Sequence, residues 1–230
     1  MLDTSRKLEY DEVMSISVVC YGDSNTFGTN PHGGRWGTDV RWPRVLGRLL
    51  GSGYDVIEEG LGGRETVYDD PLVGERNGLK GLPYVLKTHK PIDILVISLG
   101  TNDTKTMFHA TPKVIALGIE QLILMAQRFP YGDSRFYPIP RIVVVSPIHV
   151  GSHIDKCPYW EFDESSVKTS HEVAPYIEEI ARKHGCSFLD AAKVASPSET
   201  DQLHMEKEGH LALAKALETL VRSIHVPSLS

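Results

Sequence analysis

Five short apolar, β-branched runs recur along the chain: ISVVCY (16–21), YDVIEE (54–59), IDILVISLG (92–100), RIVVVS (141–146) and CSFLD (186–190). Each has the length of a strand. Between them lie longer stretches of helical character, DVRWPRVLGRLL (39–50), GLPYVLKTHK (81–90), TPKVIALGIEQLILMAQRF (111–129), SSVKTSHEVAPYIEEIARKHG (165–185) and MEKEGHLALAKALETLVRSI (205–224). Ile115, Leu117, Ile119, Leu122 and Ile123 fall near helical spacing, as do Leu211, Leu213, Leu217 and Val221. Thr111-Pro112 is a helix start, with Thr as N-cap and Pro at the first helical position. Strands alternating with helices predict a parallel sheet covered on both faces, a doubly wound α/β domain. Two stretches fall outside the pattern, PYGDSRFYPIP (130–140) and HVGSHIDKCPYWEFDE (149–164). Loops of that length are usually functional or disordered.

In open α/β sheets the ligand site lies beyond the carboxyl ends of the strands. Here the first strand is followed by GDSNT (22–26), the second by GLGGRET (60–66), the third by GTNDT (100–104), and the fifth by a loop ending in DQLH (201–204). With strand order 2-1-3-4-5 the first three clusters converge around Ser24. A serine hydroxyl is a weak nucleophile that needs an adjacent base, itself oriented by a third group. His204 and Asp201, three residues apart in one turn, can supply these: the carboxylate takes the Nδ1–H and leaves Nε2 facing Ser24. The Ser24 N–H, a backbone N–H of the Gly62-Gly63 turn and the Asn102 amide suit an oxyanion. Each string also has a plain structural reading. GDS can simply cap a helix, Gly62-Gly63 can serve a tight turn, GTND can be an Asx turn, and His204 is one of ten histidines. Their common place after strands favours a single site. Asp23 and Asp103 are expected to be structural.

Composition narrows the partners. The chain has 230 residues, 41% hydrophobic and 23% charged, which suits one domain with an adequate core. We expect that domain to span 14–230, with residues 1–13 a disordered tail or an alternative start. A net charge of −6 with scattered Lys and Arg gives no footprint for nucleic acid. Three widely spaced cysteines without a CxxC pair point to a reducing compartment, and the charged N-terminus lacks the apolar core of a signal peptide, so a cytoplasmic location is expected. No run reaches the ~20 apolar residues of a membrane span.

Block by block, the chain resembles the SGNH or GDSL hydrolases: G-D-S at 22–24, a Gly-bearing block at 60–63, G-x-N-D at 100–103 and D-x-x-H at 201–204. The resemblance covers nearly the whole length. It implies a three-layer α/β/α, flavodoxin-like fold with a five-stranded parallel sheet and no cofactor. It also implies Ser24 as nucleophile, His204 as base, Asp201 as its partner, and Ser24, Gly63 and Asn102 as oxyanion donors. DVRWPRVL (39–46), VIEEGLGGRET (56–66), LGTNDTK (99–105) and VVVSP (143–147) are similar to the bacterial arylesterase/acyltransferase branch. That branch can carry Ser-Ala where Gly62-Gly63 stand here, and a backbone donor survives such a change.

The branch implies a serine esterase acting on short-chain acyl and aryl esters, with water or an alcohol as acceptor, and assembly into a homo-oligomer. A carbohydrate O-deacetylase would use the same triad, and a silent binding module could keep the same fold. Thr29, Asn30 and Trp36 are candidates for the substrate pocket, whereas Trp42 at helical spacing reads better as core. His149, His153, Asp155 and Cys157 suggest a metal, but Gly151, Pro147 and Pro158 argue against the helix that their spacing needs, and no metal is expected. Tyr159, Trp160 and Phe162 are expected either to form a buried cluster or to serve a lid or a subunit contact.

Overall fold

The computed structural model describes residues 15–226; the expected tail at 1–13 lies outside the described residues. The five apolar runs form strands β1 (Ile16–Gly22), β2 (Tyr54–Gly60), β3 (Ile94–Ser98), β4 (Arg141–Ser146) and β5 (Ser187–Asp190). All pair in parallel in the order β2-β1-β3-β4-β5. This is the expected five-stranded sheet of a three-layer α/β/α fold.

Strand side chains alternate between the two faces, and both faces are covered. Val18, Cys20, Val96 and Val145 pack with Trp42, Val45 and Leu46 of α2 (Trp42–Leu50) and with Leu213, Leu217 and Val221 of α7 (Lys207–Ser223). On the other side Val19, Tyr21, Ile97 and Val144 meet Leu82 and Leu86 of α3 (Gly78–His89), Ile115, Ile119 and Leu122 of α4 (Pro112–Arg128), and Ile177 and Ala181 of α6 (Ala174–Lys183). Trp42 is thus core.

Thr111 caps α4 by accepting from the Val114 N–H, and Asn77 caps α3 by accepting from the Lys80 N–H. The expected helix over 165–185 is two helices, α5 (Glu164–Glu172) and α6, meeting at Val173. Pro175 explains the break: in the second position of α6 it has no N–H for the preceding turn. Among the described residues no helix is long and apolar enough to cross a membrane.

Candidate active site

The site grows from the end of β1. The chain reverses at Gly22 into α1 (Ser24–Phe27), a single turn whose Thr26 side chain and the Ser98 carbonyl leave no room for a Cβ on Gly22. Asp23 is the N-cap and accepts from the Asn25 N–H at 2.9 Å. Burial pushes its carboxyl above the ordinary carboxylate range, opposed by that N–H, the His204 charge and a Thr101 hydrogen bond. Ser24 therefore opens a helix as expected. With four residues, α1 has little aligned dipole to offer.

Ser24, His204 and Asp201 are brought together from 180 residues apart. The Ser24 Oγ lies 2.9 Å from His204 Nε2, and His204 Nδ1 lies 2.6 Å from Asp201 Oδ2. The other carboxylate oxygen, Oδ1, accepts from the His204 N–H at 2.9 Å and the Leu203 N–H at 3.0 Å. Burial would raise the Asp201 carboxyl, but the His204 ring and these N–H groups outweigh it and hold the pKa below its ordinary value. All three side chains are buried. An ionised, oriented carboxylate that holds a ring N–H leaves the far nitrogen free to accept a hydroxyl proton.

The second and third blocks close around this relay. Leu61–Arg64 forms a turn closed by the Arg64 N–H and the Leu61 carbonyl at 3.1 Å, with Gly63 at φ 78°, a region that favours glycine. Two bonds tie the turn to β1: the Leu61 N–H donates to the Gly22 carbonyl at 3.0 Å, and Arg64 Nη1 donates to the same oxygen at 2.8 Å. Asn102 Nδ2 donates to the Arg64 carbonyl at 3.2 Å, which uses one of its two N–H groups. Asp103 accepts from the Thr66 N–H and hydroxyl, and burial first of all raises its carboxyl to about 7. Buried Lys105 pairs with Glu65 at 2.8 Å and Asp70 at 3.3 Å. Gly63 and Asn102 are thus locked to one another and to the strand that carries Ser24. Asp23 caps α1, and Asp103 ties the third block to Thr66 of the second.

Elsewhere the expected site residues are placed more loosely. Thr29 bridges Arg35 across a small antiparallel loop, and Asn30 Oδ1 accepts from the His32 N–H within it. Trp36 Nε1 donates to the Met205 carbonyl at 3.2 Å, beside His204. The Thr29 N–H donates to the Ser24 carbonyl at 2.9 Å, so Thr29 is tied to the nucleophile's turn through backbone alone, and among the described residues no hydrogen bond joins Asn30 to Ser24, Asn102 or His204. His149 stacks on His171 at 3.7 Å, and no group of three or more His, Cys, Asp or Glu among the described residues is arranged to hold a metal ion.

The 149–164 segment divides its aromatics. Phe162 is buried with Val150, Ile154 and Leu203, while Trp160 is 70% exposed. Tyr159 reaches the relay: its hydroxyl donates to Asp201 Oδ2 at 3.4 Å, and its ring stands edge-on to His204 at 5.8 Å. Sequence reasoning missed Tyr159, Arg64 and Asn25 as parts of the site. Only the aromatic cluster YWEF in a long loop hinted at the first.

Residues 20–212 match the profile of the GDSL-like Lipase/Acylhydrolase family. The chain belongs to this family. The GDSL fold here is similar to that of the M. smegmatis aryl esterase (TM-score 0.85, 36% identity, 92% of this chain and 100% of the other). It is equally similar to a carbohydrate acetylesterase from Sinorhizobium meliloti (TM-score 0.85, 32% identity, 92% and 100%). In sequence it is 25% identical over 228 residues to an acetylxylan esterase from Xylanibacter ruminicola, covering 90% of this chain and 43% of that protein. The chain therefore spans less than half the length of that relative.

Proposed function

We propose that the chain is a serine esterase that hydrolyses short-chain acyl and aryl esters through an acyl-enzyme. The observation that carries this reading is the continuous relay from Ser24 Oγ through His204 to Asp201, at 2.9 and 2.6 Å. Ser24 Oγ attacks the ester carbonyl while His204 Nε2 takes its proton, and Asp201 steadies the imidazolium. The carbonyl oxygen, now negative, is received by the N–H groups of Ser24 and Gly63 and by the Asn102 amide. On collapse the alcohol or phenol leaves with the proton from His204. Water then repeats the sequence on the acyl-enzyme, with His204 again the base, and releases the acid and free Ser24. An alcohol in place of water gives acyl transfer. No cofactor enters any step.

The likeness to an aryl esterase supports aryl and short acyl esters. A carbohydrate acetylesterase and an acetylxylan esterase among the relatives favour a second reading, O-deacetylation of acetylated sugars with the same residues. The remaining parts of the proposal are a single domain over 14–230, a pocket edge at Thr29, Asn30 and Trp36, a homo-oligomer, and a cytoplasmic setting in keeping with the unpaired Cys20, Cys157 and Cys186.

Initial rates on 4-nitrophenyl acetate and butyrate, with wild type and Ser24→Ala, test the reading. Turnover lost in a folded Ser24→Ala, with acetate faster than butyrate, is the expected result; equal rates in both proteins would remove Ser24 as nucleophile. Acetate release from acetylated xylo-oligosaccharides, compared with the aryl esters, separates the two substrate classes. No turnover of any ester would leave only a silent binding module.

A further inference from the structure

His204 is held to Asp201 by bonds within its own turn, but those bonds say nothing about where Ser24 lies. The turn is also not at rest by itself, since Gln202 adopts φ 60°, a left-handed conformation that residues with a side chain disfavour. The Ser198 N–H holds the His204 carbonyl, and the Gly151 N–H holds the Gln202 carbonyl. Both come from segments that do not carry the nucleophile.

Asn25 does. It follows Ser24 in α1 and is buried. Its Nδ2 donates to the Leu203 carbonyl at 3.2 Å, and its Oδ1 accepts from the Met205 N–H at 3.0 Å. The carboxamide thus pairs with the backbone on either side of His204 as a neighbouring parallel strand would. Only a group with one donor and one acceptor in this orientation satisfies both partners. These two bonds, spanning 178 and 180 residues, tie the base directly to the turn of the nucleophile.

We propose that Asn25 is a positioning residue for ester hydrolysis, its carboxamide setting His204 Nε2 at bonding distance from Ser24 Oγ. The proposal rests on the reading of Ser24 and His204 as nucleophile and base. Asn25 touches neither substrate nor the transferred proton. Its removal acts through His204, so kcat falls while KM is largely kept.

The test uses Asn25→Leu, which fills nearly the same volume without polar atoms, beside wild type and Ser24→Ala. Active sites are titrated with diethyl 4-nitrophenyl phosphate, which releases one 4-nitrophenolate per serine phosphorylated, and kcat on 4-nitrophenyl acetate is expressed per titrated site. A displacement near 1 Å costs up to about 100-fold in rate, so kcat per site in Asn25→Leu is expected to drop roughly 10- to 100-fold with KM within about threefold. A purely structural role would lower the number of titrated sites and the melting temperature but leave kcat per site unchanged, and that result would overturn the proposal. So would a loss confined to KM. If circular dichroism shows Asn25→Leu unfolded, Asn25→Ala is judged by the same criteria. Turnover and titration by Ser24→Ala would overturn the nucleophile reading and this proposal with it; an inactive Ser24→Ala beside an unimpaired Asn25→Leu would overturn this proposal alone.

Discussion

Replacing Asp201 by Asn changes one atom of the relay and leaves its shape. In wild type Oδ1 accepts from the Leu203 and His204 N–H groups, and Oδ2 faces His204 Nδ1 at 2.6 Å. The new amide has two orientations. With its nitrogen toward the two backbone N–H groups, donors face donors and two hydrogen bonds of about 1 kcal/mol each are lost. The amide therefore keeps its oxygen there and turns its N–H to His204 Nδ1. The imidazole must then carry its proton on Nε2, which donates to Ser24 Oγ and cannot accept from it. The variant also lacks the charge that steadies the imidazolium. Wrong tautomer and lost charge together cost about 10³- to 10⁴-fold in kcat, or about 4–5.5 kcal/mol of transition-state stabilisation. The assay is kcat on 4-nitrophenyl acetate at pH 7.5, corrected for spontaneous hydrolysis, with folding followed by circular dichroism. A folded Asp201→Asn within tenfold of wild type would refute the role given to Asp201 and the tautomer argument together.

Three further outcomes follow from the same geometry. Asn102→Ala removes one oxyanion donor and should lower kcat on 4-nitrophenyl acetate by about 10²- to 10³-fold with little change in KM; a loss under threefold would take Asn102 out of the oxyanion site. Lys105→Met strips the buried Glu65 carboxylate of its cation, while Asp70 keeps Arg76 at 3.0 Å. Urea unfolding should show a loss of about 3–5 kcal/mol, and unchanged stability would mean that the ion pair holds nothing. Asp103, raised to about 7 by burial, binds its proton more tightly in the folded chain than in the unfolded one. Its contribution is present below the ordinary carboxylate pKa and is lost as pH rises toward 7. Wild type should therefore lose stability relative to Asp103→Asn between pH 5 and pH 8 in urea titrations, and a constant difference would contradict the raised value.

The strands were legible because parallel strands buried on both faces must be apolar along their length, as in IDILVISLG, and the helices because α4 and α7 repeat apolar residues at helical spacing. The break at Val173 was legible in part, since Pro175 marks it, yet the apolar pattern runs through it. Of the site, Ser24, Gly63, Asn102, Asp201 and His204 stood out because the chemistry they suit needs particular residue types at strand ends.

By itself, then, the sequence determined the alternation of strands and helices, the polar clusters at the strand ends and the family to which they point. Those features are local: each is written in a spacing, a cap or a residue type. Only the tertiary structure decided that Asn25 clamps the backbone around His204, that Arg64 binds the end of β1, and that Tyr159 stands beside Asp201. The physical reason lies in their partners. Asn25 and Arg64 bond to backbone atoms of Leu203, Met205 and Gly22, groups that every residue type carries and no pattern marks. Tyr159 reaches its carboxylate from an irregular loop whose path over the sheet edge is set by the packing of Phe162 and Ile154 on Leu203, not by any period in the chain.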